Sequence, residues 1–258
     1  MSKNELEKLH AQYRKFQRIL LFLDFDGTLV PLQKAHQKST LSEDRKNLLS
    51  HLAREKKFRV ILISGRPVEF LKSRLGLRNI YYVGNHGLEI SGPQFKFQTA
   101  NQSDWKKKIA KLTEDLTRMV KNHPGVTLEP KGLSVTLHYR GLSAARVDLF
   151  RESIKRLEET LPSSLKMTSG KKVYEFRPNT KDDKGTAVKR ILRRFKRAKV
   201  IPIYAGDDLT DEAGFKAVNP KGYSIRVGFK KNSQARYYLK NHKEVCFFLR
   251  FLTIDDNL

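Results

Sequence analysis

Two carboxylates close an apolar run. In LLFLDFDGTLVPL (residues 20–32), Asp24 and Asp26 end a stretch of Leu and Phe that reads as a buried central strand. Ionised carboxylates at the end of such a strand are costly unless something pairs with them. They are two apart, so an extended backbone turns both the same way. One can then act as a nucleophile while the other handles protons, provided their environments differ. A second acidic cluster, Asp207, Asp208 and Asp211 in YAGDDLTDE (204–212), again follows an apolar run through a glycine. All of these candidate ligands are oxygens, which suits a hard cation such as Mg²⁺ rather than zinc. A third strand end carries Ser64, Gly65 and Arg66, where a hydroxyl and free backbone N–H groups can hold phosphate oxygens. Lys184, in DKGTA at an expected helix start, brings an ammonium and free helix N–H groups to the same kind of ligand.

Each of these has a plainer reading: a turn, a cap, a surface lysine. It is the four together, each at the end of a suitable element, that point to phosphate chemistry.

The elements that must position them alternate. A helix is expected over 1–17, a strand over 19–24, a helix over 42–56 and a strand over 58–67. A short helix over 68–75 and a strand over 79–87 follow. After 183 come a helix (183–197), a strand (200–206), a helix (209–218), a strand (224–228) and a helix near 242–252. This is the pattern of a parallel α/β sheet, whose ligands bind at the carboxyl ends of the strands. The middle breaks it. Helices over 103–122 and 143–160 alternate with hairpins over 126–140 and 165–178, the second with Gly170 in its turn. The expected organisation is a core of residues 1–89 and 176–258 with an α+β module of residues 90–175 inserted in it.

The bulk numbers fit a soluble protein of one large or two modest domains. The chain has 258 residues, 39% of them apolar, and one cysteine, Cys246, in the apolar run VCFFLRFL. No disulfide can form within a single chain, and Cys246 reads as a small buried hydrophobe. The amino terminus does not read as a signal peptide, and no apolar run is long enough to span a bilayer. A cytoplasmic monomer without membrane contact is the expectation. Lys plus Arg is 52 against 27 Asp plus Glu, a net charge of +25. Such a surface attracts anions, but no zinc-finger spacing or RNA-recognition signature is present, so no specific nucleic-acid partner is expected. The clusters at 106–108 and 193–199 read as solvated helix faces.

In the inserted module, Glu129, Lys131, His138, Arg140 and Glu175 sit where a core sheet would not favour them. They could offer hydrogen bonds to sugar hydroxyls, or they could pair as salt bridges on a solvated face.

LDFDGT, the serine of LISGR, Lys184 in DKGTA and GDDLTDE resemble the four motifs of the haloacid-dehalogenase (HAD) superfamily of phosphatases. The resemblance covers most of the chain. It implies a Rossmann-like parallel-sheet core with an inserted, C2-type α+β cap, and phosphoryl transfer through an aspartyl phosphate. By motif position, Asp24 would be the nucleophile and Asp26 the acid and base. Mg²⁺ would be held by Asp24, the Asp26 carbonyl and Asp207, with Asp208 and Asp211 steadying it. Ser64 and Lys184 would bind the phosphoryl group, with Phe25, Thr28, Gly65 and Arg66 lining the same site.

GNHGLE (84–89), the Glu-x-Lys followed by HYR, and EFRP further resemble trehalose-6-phosphate phosphatases. That resemblance implies a small-molecule substrate, trehalose 6-phosphate. Glu129, Lys131 and Glu175 would grip glucose hydroxyls, supported by His138 and Arg140. Asn85 and His86 would lie on a core loop, though His86 reads equally as a structural loop histidine. Sucrose phosphate and mannosyl-phosphoglycerate are the rival substrates.

Overall fold

A computed structural model describes residues 3–13, 15–32, 40–170 and 172–253. By internal packing it divides into two compact units, residues 1–98 with 182–258, and residues 99–181.

The first unit is a sheet of eight strands. They are β1 (Arg18–Asp24), β2 (Phe58–Ile63), β3 (Tyr81–Gly84), β4 (Glu89–Gly92), β5 (Phe95–Gln98), β10 (Val200–Gly206), β11 (Tyr223–Val227) and β12 (Tyr237–Leu239). Their order is β12-β11-β10-β1-β2-β3-β4-β5, parallel from β12 to β3 and antiparallel beyond. β1 is central because it is apolar on both faces: Ile19, Leu21 and Leu23 join one core cluster, Leu20 and Phe22 the other. The first cluster takes side chains from helices α1 (Lys3–Tyr13), α2 (Glu43–Arg54), α3 (Val68–Leu75) and α8 (His242–Phe251). The second takes them from α6 (Lys184–Arg194) and α7 (Glu212–Val218). Helices therefore cover both faces, as a parallel sheet requires.

The second unit is a four-stranded antiparallel sheet with two helices, α4 (Gln102–Val120) and α5 (Ala144–Glu159). Its strands β6 (Thr127–Pro130), β7 (Val135–His138), β8 (Leu165–Gly170) and β9 (Val173–Pro178) lie in the order β6-β7-β9-β8. Ile109, Leu116, Phe150 and Ile154 of the helices share one core with Val135, Leu137 and Phe176 of the sheet.

Three features differ from the sequence reading. The division falls at Thr99 and Lys181, where 90 and 175 were expected, because β4 and β5 form a hairpin that extends the large sheet from β3. Gly170 is the last residue of β8, paired with Val173; the left-handed turn residue is Lys172, with φ of 64°. Cys246 is only half-buried. Of the helix expected over 1–17, Met1, Ser2 and Arg14 lie outside the described residues.

Candidate active site

Four neighbouring strands, β10, β1, β2 and β3, run parallel, so their carboxyl ends form one row. Asp24 ends β1, while Ser64, Asn85 and Asp207 directly follow β2, β3 and β10. The fold thus brings three of the four motifs together before any side chain is considered. The fourth arrives on α6. Asp183 caps that helix, its Oδ1 accepting the Thr186 N–H at 2.7 Å while the Thr186 hydroxyl serves the Asp183 N–H. This cap fixes the first turn, and Lys184 reaches inward from it.

Lys184 Nζ donates to Asp24 Oδ1 and to Asp211 Oδ1, both at 2.6 Å. Asp211 is fully buried and its acceptors are occupied. Oδ1 also takes the Tyr204 hydroxyl at 2.7 Å, and Oδ2 takes the N–H groups of Asp207 and Asp208 at 3.1 and 3.0 Å. Its carboxylate ties the loop after β10 to Lys184. Thr28, also fully buried, donates to Asp207 Oδ1 at 3.1 Å.

One carboxylate oxygen each from Asp24, Asp207 and Asp211 lies within 4.8 Å of the others. Three buried or nearly buried carboxylates therefore face one ammonium. Burial pushes the Asp24 carboxyl well above the usual range; Lys184 opposes the shift, and Asp211 and Asp207 add to it. Burial, followed by Asp211, raises Asp207 to about 7. Burial would lower Lys184, but Asp211 and Asp24 override it and hold the ammonium charged. The cluster is short of positive charge, and its donors are all hard oxygens. That combination fits a divalent cation of the Mg²⁺ type. Since Asp211 already accepts four hydrogen bonds, Asp24 and Asp207 are the carboxylates left to ligate, with Asp211 behind them.

The turn after β1 is built for this closeness. Gly27 has φ of 91°, and a Cβ placed there would lie 2.1 Å from Asp207 Oδ2. Only glycine meets both demands. Asp26, beyond the end of β1, faces a different partner. Arg66 Nε donates to its Oδ2 at 2.6 Å and Arg66 Nη2 to its Oδ1 at 3.0 Å, a bidentate clamp. The Arg66 guanidinium also stacks 4.5 Å from the Phe70 ring centroid.

Ser64 is buried, and its Oγ accepts the Arg66 N–H at 3.1 Å. The loop after β3 is zipped to this turn: His86 N–H donates to Ser64 O and Asn85 N–H to Arg66 O. Asn85 and His86 both have left-handed backbones, φ 48° and 56°. A Cβ at Gly65 would lie 2.5 Å from His86 Nε2, so the imidazole lies against that glycine. Asn85 Nδ2 donates to Glu89 Oε1, which also takes the Val68 N–H. Phe25, by contrast, is fully buried in the core cluster. The strand pleat turns its side chain away from the acids, so only its backbone remains for the site. Asp208 is exposed; its side chain forms a capping box with Asp211 at the start of the short turn 209–211, and its Oδ2 lies 3.5 Å from Thr210 Oγ1.

In the inserted unit, Glu129 on β6 pairs in register with Thr136 on β7, and Thr136 with Glu175 on β9. One row thus carries both glutamates on the face opposite the helices. Lys131 Nζ lies 3.6 Å from Glu129 and 3.5 Å from Glu175. His138 Nε2 is 2.9 Å from Glu129 Oε2, and Ser134 Oγ donates to Glu175 Oε1 at 3.3 Å. Arg140 is exposed and joins none of these pairs.

Three supporting residues were missed in the sequence. They are Tyr204 on Asp211, Glu89 under Asn85, and Arg226, which donates to the Asp207 and Asp208 carbonyls and to Glu212. A tyrosine in the buried strand VIPIY must find a partner for its hydroxyl, which was a usable signal. Nothing local marked the other two.

The fold is that of a HAD-like hydrolase from B. subtilis, which superposes on 92% of the chain with a TM-score of 0.58 at 14% identity, covering 99% of that structure. The chain belongs to the trehalose-phosphatase family, whose model matches residues 22–243. It is a phosphoric monoester hydrolase. It is 30% identical over 255 residues to a probable trehalose-phosphate phosphatase 4 of rice, covering 95% of this chain and 68% of that protein. To a probable trehalose-phosphate phosphatase D of Arabidopsis thaliana it is 32% identical over 259 residues, with coverage of 94% and 69%. A structure of the Aspergillus fumigatus trehalose-6-phosphate phosphatase shares 28% identity and a TM-score of 0.64, covering 96% of each chain. Among the described residues, no helix is long and apolar enough to cross a membrane.

Proposed function

We propose that the chain is a Mg²⁺-dependent phosphatase that hydrolyses trehalose 6-phosphate to trehalose and phosphate through a phosphorylated Asp24. The observation that carries this reading is the meeting of Asp24 and Asp207, at adjacent strand ends, with Lys184 from the first turn of α6, in a chain of the trehalose-phosphatase family.

Asp24, the Asp26 carbonyl and Asp207 would hold the metal. When bound, it would offset the repulsion between a carboxylate nucleophile and an anionic phosphate. Lys184 does the same from the protein side, fixing Asp24 Oδ1 so that Oδ2 is the oxygen left to attack phosphorus. Ser64 Oγ and the Gly65 and Arg66 turn bind the transferring phosphoryl oxygens. The bond to the sugar oxygen breaks as Asp26 delivers a proton to it. In the second half, Asp26 takes a proton from water, whose oxygen displaces Asp24 from phosphorus. Asp26 accepts from Arg66 at both oxygens, which fixes the orientation of its carboxylate. In the inserted unit, Glu129, Lys131, His138 and Glu175 supply donors and acceptors for glucose hydroxyls.

The test is phosphate release from trehalose 6-phosphate, sucrose 6-phosphate, glucose 6-phosphate and mannosyl-phosphoglycerate, with Mg²⁺ or with EDTA. Turnover of the first, lost with EDTA and in Asp24→Asn, is expected. Faster turnover of another ester would overturn the substrate, and turnover in EDTA the metal.

A further inference from the structure

We propose that the opposite edge of the core sheet, at the amino-terminal ends of its strands, is a second anion site that takes a compact oligophosphate. This is the group shared by inorganic tripolyphosphate and nucleoside triphosphates.

A surface cavity of about 670 Å³ opens there, and five of its eight lining residues are cations: Arg18, Lys56, Lys57, Arg194 and Arg197. That volume lies within the range of roughly 300–1,000 Å³ of small-molecule sites. The fold gathers these residues from separate parts of the chain. Arg18 opens β1, Lys56 and Lys57 lead into β2, Arg194 closes α6, and Arg197 leads towards β10. Among the described residues, no carboxylate lines the cavity and none of the five forms an ion pair.

The cations are held by contacts that leave donors free. The Arg18 guanidinium lies 5.9 Å from the Phe195 ring centroid, Arg194 lies 4.8 Å from that of Phe95, and Lys57 donates to the Phe16 carbonyl. Burial lowers the neighbouring Arg59, and the charge of Arg18 lowers it further, a sign of uncompensated positive charge. The carbonyl end of α6 supplies only about half a negative charge. Five cations around one cavity match several linked phosphates better than a single phosphate. Their convergence on one spot favours a compact anion over an extended one. The site is separate from the acidic edge: Arg18 begins β1 and Asp24 ends it, roughly 20 Å away at the usual rise of a strand.

The test is calorimetric titration of the full chain in EDTA with sodium tripolyphosphate, ATP and adenosine, joined to hydrogen exchange. The variant Lys56→Gln/Arg194→Gln/Arg197→Gln changes exposed side chains only. Lys106→Gln/Lys107→Gln/Lys111→Gln removes the same charge from exposed positions on α4. The first is expected to weaken both phosphate ligands at least about tenfold, and the second about twofold or less. Adenosine should not bind, and protection should appear at 15–19, 55–58 and 194–200. Equal affinity for tripolyphosphate and ATP would assign recognition to the phosphates alone; tighter ATP binding would add the nucleoside. Equal losses in both variants would overturn the site as a mere effect of net charge. So would protection confined to the loops of Asp24 and Asp207, or duplex DNA protecting the same segments at a lower phosphate concentration.

Discussion

The polar set of the core and that of the inserted unit use the same residue types to opposite ends. In the core, Asp24, Asp207 and Asp211 lie around the Lys184 ammonium, and with all three carboxylates ionised the group is two positive charges short in a buried place. In the inserted unit, Glu129 and Glu175 share Lys131, and the His138 imidazole lies against Glu129. The first arrangement calls for a further cation. The second mixes an ammonium, an imidazole and two carboxylates. Under the proposed function, the first would take a metal and a phosphate, and the second the hydroxyls of a sugar.

The largest expected effect comes from breaking the core set. Asp24→Asn should lower kcat on every ester by on the order of 10³-fold or more, as loss of a nucleophile does. Turnover of both trehalose 6-phosphate and p-nitrophenyl phosphate would check it. Gly27→Ala comes next. Its methyl group would displace Asp207, costing about 1–3 kcal/mol of stability by overpacking alone. It should also abolish the stabilisation that added Mg²⁺ gives in thermal melts.

Glu129→Ala in the inserted unit should act selectively. Loss of a hydrogen bond to substrate of about 1–3 kcal/mol predicts a roughly 5- to 150-fold loss in kcat/KM on trehalose 6-phosphate. Turnover of p-nitrophenyl phosphate should scarcely change, and equal losses on the two would erase the distinction drawn here.

A subtler effect concerns pH. Folded Asp207 keeps its proton up to about 7, whereas an unfolded aspartate releases it near 4. Between those values the folded chain holds more protons, so this group's contribution to stability falls as pH rises through that window. Melting in EDTA from pH 5 to 8 should show wild type losing ground to Asp207→Asn. The smallest effect is expected of Arg140→Ala, since that side chain joins none of the pairs; steady-state kinetics should barely move.

Much of this was legible in the sequence because the core elements announce themselves. β1, β2 and β10 are mostly apolar runs, with Arg18 opening β1 and Arg59 near the start of β2, that end in acids or a small-residue turn, and their burial on both faces marks them as central strands. The hairpin β4–β5 was not legible. Its residues are half exposed, and Phe95 and Phe97 are covered by Arg194 and Arg190 from α6, contacts between residues about a hundred positions apart. β12 has three residues, too few for a pattern. In the site, the acids, Ser64 and Lys184 stand out by residue type and position at the ends of elements. Residue type could not foretell that Arg66 would clamp Asp26, or that Phe25, between two acids, would turn into the core.

The partners of β1 have a consequence for biosynthesis. One neighbour, β2, is complete by residue 63, but the other, β10, does not emerge until residues 200–206, after the whole inserted unit. Until then one hydrogen-bonding flank of the most apolar strand is open, and the contacts that close it are among the most distant in the chain. The nascent polypeptide passes through a stage in which residues 99–181 can already be folded while the catalytic half waits, a stage at which a chaperone would find its client.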